Sequence, residues 1–431
     1  MPLLMAKDWL NLLPSGAGSR IWTCTKRDLT SQRSTKGYVS WHSPSICIRG
    51  RAMKTSKPLV IDLFSGCGGL GLGAELAGFH SLAAVDVDKN LQSAYSLNFP
   101  LTQTINTDLA LVNPSTWKSI LNGKKIDGII GGPPCQGFSR IGLRKTDDPR
   151  NALLGQYFRQ VRELKPRFFL MENVEGILDE KNKPVLDAAL NLIPGNYHVV
   201  GPLKINALDC GAATSRKRVV IIGIDPSSMD RVSEQEIIAS LVKSPVTVRE
   251  AISDISSPRE NELKSSKLFS WTHYKSSPLS LSDYALRMRA MPLKGLGSKF
   301  SLERLVHGEI SGVINTKHTQ PVIERFNETR PGETELISRY PRLSWSGYCP
   351  TLRAGTGSDK GSFQAMRPIH PSEPRVITVR EAARLQGFPD WFLFHPTIWH
   401  SFRMIGNSVS PLMSHHLMSI IAKKLERRAA A

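Results

Sequence analysis

The chain has 431 residues, 40% of them hydrophobic, and a formal net charge of +19. That length allows one large domain and a smaller one, with apolar content enough for a sizeable core. The charge favours a polyanionic partner. No apolar run reaches the roughly 20 residues of a membrane span, so no membrane partner is expected.

The six cysteines, Cys24, Cys47, Cys67, Cys135, Cys210 and Cys349, are far apart and form no CxxC pair. No structural zinc or other metal is expected, and the thiols fit a reduced, cytoplasmic setting. The N-terminus makes a poor secretory signal, because Lys7 and Asp8 interrupt its apolar start.

Residues 1–57 are basic, rich in Ser, Thr and Arg, and lack helix or strand period. They read as a disordered extension. A DNA-touching arm is one reading; a dispensable extension, with Met53 as the natural first residue, is preferred. From Pro58 short apolar strands alternate with helices. Leu59 to Phe64 predicts a strand, followed by a Gly-rich turn and a helix over Ala74 to Gly78. His80 to Val85 predicts a strand and Asn90 to Asn98 a helix. Ile126 to Ile130 reads as a strand, Leu153 to Leu164 as a helix, and Phe168 to Met171 and Val219 to Ile224 as strands. Buried strands joined by helices predict a doubly wound α/β sheet.

Residues 226–345 are dominated by Ser, Lys, Pro and Arg, with scattered aromatics such as Trp271, Tyr274 and Trp345. This predicts a loop-rich region lying against nucleic acid, or else a variable insertion. Helical pattern returns over Thr378 to Gln386 and again over about Leu412 to Arg427. The expected organisation is an extension (1–57), a catalytic domain (58–225), a small recognition domain (226–395) and a returning segment (396–431).

Two stretches carry chemistry. Gly66, Gly68 and Gly71 form GxGxxG between a strand and a helix, and Asp86 ends the next strand. Glycines permit close backbone approach, and an acid about 20 residues on suits ribose hydroxyls. A nucleoside-like cofactor is expected, although the motif does not separate NAD, FAD and S-adenosylmethionine. Asp108 is a candidate acceptor for an adenine amine, or a solvated loop acid. The second stretch is Gly131-Gly132-Pro133-Pro134-Cys135-Gln136-Gly137-Phe138-Ser139. Its prolines stiffen the turn, and its glycines let a substrate approach. Arg140, Arg144 and Arg150 follow, giving the electropositive surroundings a thiolate needs. A lone cysteine is usually inert core; this rigid frame argues for a nucleophile. Glu172-Asn173-Val174 delivers an acid at the same expected sheet edge.

These residues resemble the C5 DNA cytosine methyltransferase family in its bacterial or phage form. The resemblance covers about residues 58–225 and 345–425. It is carried by Asp62 to Leu70, Pro133 to Gly137, Glu172 to Val174, Arg216 to Arg218, Arg380 to Pro389 and Ile405 to Val409. It implies an S-adenosylmethionine-dependent, Rossmann-like methyltransferase domain beside a smaller, loop-rich DNA target-recognition domain. The methyl donor would be S-adenosylmethionine, and the substrate a cytosine flipped out of double-stranded DNA. The implied catalytic residues are Cys135, attacking C6; Glu172, holding N3 and the exocyclic amine; Arg218, on O2; and Arg216, helping to position the base. The implied cofactor residues are Phe64, Ser65, Gly66, Gly68, Gly69, Leu70, Asp86, Val87, Asp108, Leu109, Pro133, Asn407 and Ser408. A loop over roughly Gly137 to Asn151 would close over DNA.

The chain departs from the family pattern at Thr214 and Met404, where Gln is usual, and at Asp86, where Glu is common. An RNA cytosine methyltransferase, a catalytically silent DNA-binding regulator and a flavin or nicotinamide oxidoreductase are the rival readings. A monomer is expected. Whether a cognate restriction endonuclease accompanies it, and which DNA word it reads, stay open.

Overall fold

A computed structural model describes residues 57–134, 152–242, 244–258, 269–275, 281–354 and 365–430. Cys135, Arg140, Arg144, Lys145, Arg150 and the rest of the expected closing loop lie outside the described residues, as do residues 1–56.

The strands are β1 (Leu59–Leu63), β2 (His80–Asp86), β3 (Gln103–Asn106), β4 (Gly128–Gly131), β5 (Phe168–Val174), β6 (His198–Asn206), β7 (Thr214–Ser215), β8 (Lys217–Ile224), β9 (Trp271–His273), β10 (Glu309–Ser311), β11 (Cys349–Pro350), β12 (Arg353–Ala354) and β13 (Ala365–Met366). The helices are α1 (Gly69–Leu76), α2 (Lys89–Asn98), α3 (Pro114–Leu121), α4 (Ala152–Leu164), α5 (Lys183–Leu190), α6 (Glu234–Ala239), α7 (Val248–Ile252), α8 (Asp283–Arg289), α9 (Lys299–Val306), α10 (Gln320–Glu328), α11 (Val379–Gln386), α12 (Ile398–Asn407) and α13 (Pro411–Ala430).

Seven strands form one sheet in the order β3-β2-β1-β4-β5-β8-β6. The first five are parallel, while β8 runs antiparallel to both β5 and β6. The expected doubly wound α/β architecture is therefore present. The chain winds outward from β1 to β3, then restarts on the other side of β1 with β4. The carboxyl ends of β1 and β4 thus flank the switch point where open α/β sheets bind ligands.

The strands read as continuous apolar runs because both faces are covered. Val60, Ile130, Phe168, Val220 and Ile222 pack with Met413, Leu417 and Ile421 of α13. Their neighbours Ile61, Ile129, Phe169, Val219 and Ile221 point the other way, against Trp117, Tyr157, Phe158 and Leu186. Each such side chain contributes roughly 1.5–3 kcal/mol by leaving water. Two glycines make room for the aromatics. A Cβ on Gly128 would lie 2.1 Å from the Phe168 ring, and one on Gly223 1.9 Å from Phe169. Tyr157 staples β4 to β5 by donating to the carbonyls of Ile129 and Leu170 at 3.2 and 3.0 Å.

A third cluster joins α1 and α2 to later segments. Leu72, Leu91, Tyr95 and Phe99 share it with Val248, Tyr284, Met288, Ile310, Leu352, Val379, Phe388 and Ile405. Among the described residues, the stretch 226–345 is built of short helices and one strand pair, so its weak periodicity hides elements of only three to nine residues. Helix α1 starts at Gly69, five residues before the expected Ala74. Gly68 caps it in the left-handed region at φ 97, which lets the chain turn directly from loop into helix. Strand β5 continues to Val174, so Glu172 lies inside a strand instead of just beyond one. No described helix is long and apolar enough to cross a membrane.

Candidate active site

The glycine loop follows β1 at the switch point. Phe64 and Gly66 both adopt φ 54, and Gly68 φ 97. For Phe64 that conformation carries strain, which the surrounding contacts must hold. Asp86, at the end of β2, supplies one of them: its Oδ2 accepts the Gly66 N–H at 2.8 Å and its Oδ1 the Asp88 N–H at 2.8 Å. Burial pushes the Asp86 carboxyl up from its ordinary value, against the pull of those two N–H groups. Beneath the loop, Asp62 is fully buried. Burial raises its carboxyl to about 8, despite the Tyr95 hydroxyl donating to it at 3.3 Å.

The returning segment seals the loop from the other side. The carbonyl of Met404 accepts from the Cys67 thiol at 3.7 Å. A Cβ placed on Gly69 would lie 1.9 Å from Ser408 Oγ and 2.3 Å from the Val409 carbonyl. Gly69→Ala should therefore force Ser408 and the loop apart. The expected outcome is a loss of at least about 2 kcal/mol of stability by urea melt, from overpacking. Gly78→Ala should cost less, since its Cβ would meet nothing within 4 Å and only its φ of 96 resists.

These residues fit a nucleoside-bearing ligand. Around Gly66 there is open space for a Cβ, so a ligand can approach the backbone. Val87 follows the acid with 69% of its surface exposed, an apolar face at the corner with nothing covering it. Asn407 is exposed and Ser408 buried. Asp108 is exposed and accepts the Ala110 N–H at 2.9 Å. Two expected cofactor residues do not present side chains here. Leu70 packs into the α13 face of the sheet and Leu109 into the opposite core.

Two strands further along the same edge stand the acid and an arginine. Because β8 is antiparallel to β5, Arg218 lies opposite Val174, diagonal to Glu172 on one face. Arg218 Nε and Glu172 Oε1 are 2.8 Å apart, both largely buried. A Cβ on Gly132 would sit 3.0 Å from Glu172 Oε2, which places the carboxylate against the turn leading to Pro133 and Pro134. Asn173 holds that turn: its amide donates to the Pro133 carbonyl at 3.3 Å. Its tethering role was not foreseen; its place beside Glu172 was the signal.

Arg216, expected to help position the base, is buried. Its guanidinium donates to the carbonyls of Leu352 at 3.1 Å and Gly406 at 2.9 Å. It lies between β7 and β8 and ties the chain at Leu352 and Gly406 to the start of β8. Thr214, in place of the usual Gln, is buried and donates to the Pro350 carbonyl at 3.3 Å.

Residues 59–424 match the family model described as C-5 cytosine-specific DNA methylase. The chain belongs to that family. As a member, it is a DNA (cytosine-5)-methyltransferase. It is 39% identical to a Type II methyltransferase, M.XorII, of Xanthomonas oryzae, over 86% of each chain. It is 32% identical to the Type II methyltransferase M.DdeI of Desulfomicrobium norvegicum, over 84% of this chain and 88% of that one. Among solved structures, a prophage-encoded DNA modification methyltransferase of E. coli shares 40% identity with a TM-score of 0.74, covering 86% of this chain and all but 1% of that one (99%). The Dnmt2 methyltransferase of S. pombe matches at 15% identity and a TM-score of 0.55, a likeness of fold. Nothing in these comparisons favours the RNA enzyme, the silent regulator or the oxidoreductase. The methyltransferase thus carries its acid–arginine pair and its glycine corner on one sheet edge.

Proposed function

We propose that this methyltransferase takes its methyl group from S-adenosylmethionine and places it on C5 of a cytosine flipped out of double-stranded DNA, with Cys135 as covalent nucleophile. The buried Glu172–Arg218 pair at the Pro133-Pro134 turn carries this reading. The turn leads directly to Cys135. The thiols of Cys67 and Cys349 are fully buried and that of Cys210 nearly so; burial pushes each up to about 12, which leaves them unreactive near neutral pH.

Cytosine C5 is a poor nucleophile. Attack of the Cys135 thiolate on C6 makes C5 enamine-like, splitting one hard step into easier ones. Glu172 holds N3 and the exocyclic amine, and Arg218 the base O2, so charge building on the ring meets fixed partners. After C5 accepts the methyl group, a base takes the C5 proton and the Cys135 sulfur leaves as C5–C6 double bonding is restored. S-adenosylmethionine, when bound, would supply an electrophilic methyl, its S–CH3 bond breaking so that the sulfur keeps the electron pair and departs as the neutral thioether. Phe64 and Val87 would take its adenine, Asp86 its ribose, Asp108 its adenine amine, and Asn407 and Ser408 its methionine end, with the backbone of Ser65, Gly66, Gly68, Gly69 and Pro133 lining the approach. Flipping the base costs a few kcal/mol, which the chain's excess cations offset through phosphate contacts. The working unit is proposed to be a monomer in the cytoplasm. The Type II relatives make a cognate restriction endonuclease the expected partner.

Bisulfite sequencing of DNA from a host expressing the chain tests this. The parent should leave 5-methylcytosine in one short motif, and Cys135→Ser none. Methylation that survives the substitution would reject Cys135 as nucleophile.

A further inference from the structure

We infer that Arg403 is a positioning residue for the cofactor: paired with Asp88, it holds Asp86 in the state and place that grip the ribose. This rests on reading Asp86 as the ribose acid.

The geometry is a relay of three residues. Arg403 Nη2 lies 2.6 Å from Asp88 Oδ2. The Asp88 N–H donates to Asp86 Oδ1 at 2.8 Å, and Asp86 Oδ2 accepts the Gly66 N–H at 2.8 Å. Asp88 divides its carboxylate between two tasks. Oδ1 caps α2 by accepting the N–H groups of Asn90 and Leu91 at 3.0 and 3.1 Å, and Oδ2 is left for Arg403. One guanidinium from the returning segment therefore fixes the loop that carries the acid.

Position along α12 supports the assignment. Trp399, Arg403 and Asn407 are spaced four residues apart, so they form one stripe on the helix. That stripe starts at Trp399, 38% exposed, whose ring centre is 5.8 Å from the Arg403 guanidinium carbon. It ends at exposed Asn407, beside Ser408 and the glycine loop. A helix that only filled the core would have no reason to align an exposed aromatic, an ion-paired cation and an amide along this edge.

The electrostatics give the stripe a task. Asp86 faces Asp88 in its own loop, Asp62 of β1 and Cys67 of the glycine loop, and Arg403 from α12; His400 of α12 faces Asp88. Burial pushes the Asp86 carboxyl up. Its two N–H partners oppose that push, the Asp88 charge adds to it, and Arg403 opposes it. Among the described groups named as acting on Asp86, Arg403 is the cation. Without it, two carboxylates two residues apart would repel, and Asp86 would take up a proton more readily. A protonated Asp86 accepts fewer hydrogen bonds from ribose hydroxyls.

Isothermal titration of S-adenosylmethionine into the full chain between pH 6 and 8.5 tests this. Arg403→Leu should weaken binding about tenfold at pH 7. Its affinity should also fall away at a higher pH on acidification than that of the parent. Arg403→Lys should keep most of the affinity. In an Asp88→Asn background, where the cap survives but the repelling charge is gone, Arg403→Leu should change affinity by less than about twofold. Kinetics should show KM for the donor raised with kcat unchanged. Thermal melts check folding, and Arg403→Gln serves if the leucine variant does not fold. Parent-like binding by Arg403→Leu, or an equal loss in the Asp88→Asn background, would overturn the proposal. Asp86→Asn separates the two levels. If it weakens binding while Arg403→Leu does not, only the role of Arg403 falls. If it leaves binding unchanged, the ribose reading falls and the role of Arg403 with it.

Discussion

Glu172→Ala is expected to lower methyl transfer by at least about a thousandfold, and Glu172→Gln by about a hundredfold. The alanine variant removes both the acceptor for the exocyclic amine and the partner of Arg218. Glutamine keeps the shape and one acceptor but loses the charge. A second effect separates structure from chemistry. Arg218 is largely buried, and Glu172 is 2.8 Å from it. Removing the acid leaves a desolvated cation, which should cost about 3–5 kcal/mol of stability. Replacing both, as Glu172→Ala with Arg218→Leu, should return much of that stability but none of the activity. Transfer of labelled methyl groups to duplex DNA, with urea melts of each variant, measures the two effects. Activity within tenfold of the parent for Glu172→Ala would remove this residue from the reaction.

Arg384→Met is expected to destabilise the fold by more than about 4 kcal/mol, the largest effect of any single substitution away from the active site. Arg384 is wholly buried. Its Nε and Nη2 donate to the two oxygens of Asp390 at 2.6 and 2.7 Å. Its Nη1 and Nη2 donate to Asp254 at 3.0 and 3.1 Å, and Nη1 also to the Ala251 carbonyl at 3.0 Å. Around it, Tyr274 donates to Asp390, Tyr284 donates to the Arg384 carbonyl, and Arg289 donates to Asp254 at 2.6 Å. Methionine fills the volume but strips Asp390 of its forked partner and leaves Asp254 with Arg289 alone. Lysine should not rescue it, since a point charge does not replace two forked pairs.

The same network predicts a pH dependence. Burial pushes the Asp254 carboxyl up, but Arg384 and Arg289 together more than reverse this, so its net shift is downward. A carboxylate lowered on folding contributes stability above its unfolded pKa, near 4, and that contribution is lost as pH falls further. The parent should lose stability steeply below pH 4. In Arg384→Met the loss should be shallower, because little of the network remains to be titrated away. Urea midpoints from pH 3 to 7 for both proteins would decide.

Much of the site was legible because its chemistry sits in short, continuous stretches. A strand, a turn forced by glycines and an acid at the end of the next strand are all local. So were Gly66, Gly68 and Asp86, and the structure brings the Gly66 N–H within hydrogen-bond reach of Asp86. Helix α1 was misplaced because Gly69, Gly71 and Gly73 are poor helix formers. They are tolerated since α13 packs close: a Cβ on Gly73 would lie 2.3 Å from Ser414. The charged face of α11 misleads in the opposite way. Arg380, Glu381 and Arg384 look like a solvated helix surface, yet all three are buried. Their partners, Ser311, Arg375, Asp254 and Asp390, come partly from distant parts of the chain.

By itself the amino-acid order determined the alternation of buried strands and helices, the glycine corner and the family, because period and turn chemistry act over a few residues. Tertiary structure alone decided which partners the long side chains meet. The reversal of β8 swings Arg218 onto Glu172, while Arg216, just ahead of the strand, clasps Leu352 and Gly406. Register across a sheet depends on contacts between segments some 45 positions apart, and a one-residue slip exchanges the two faces.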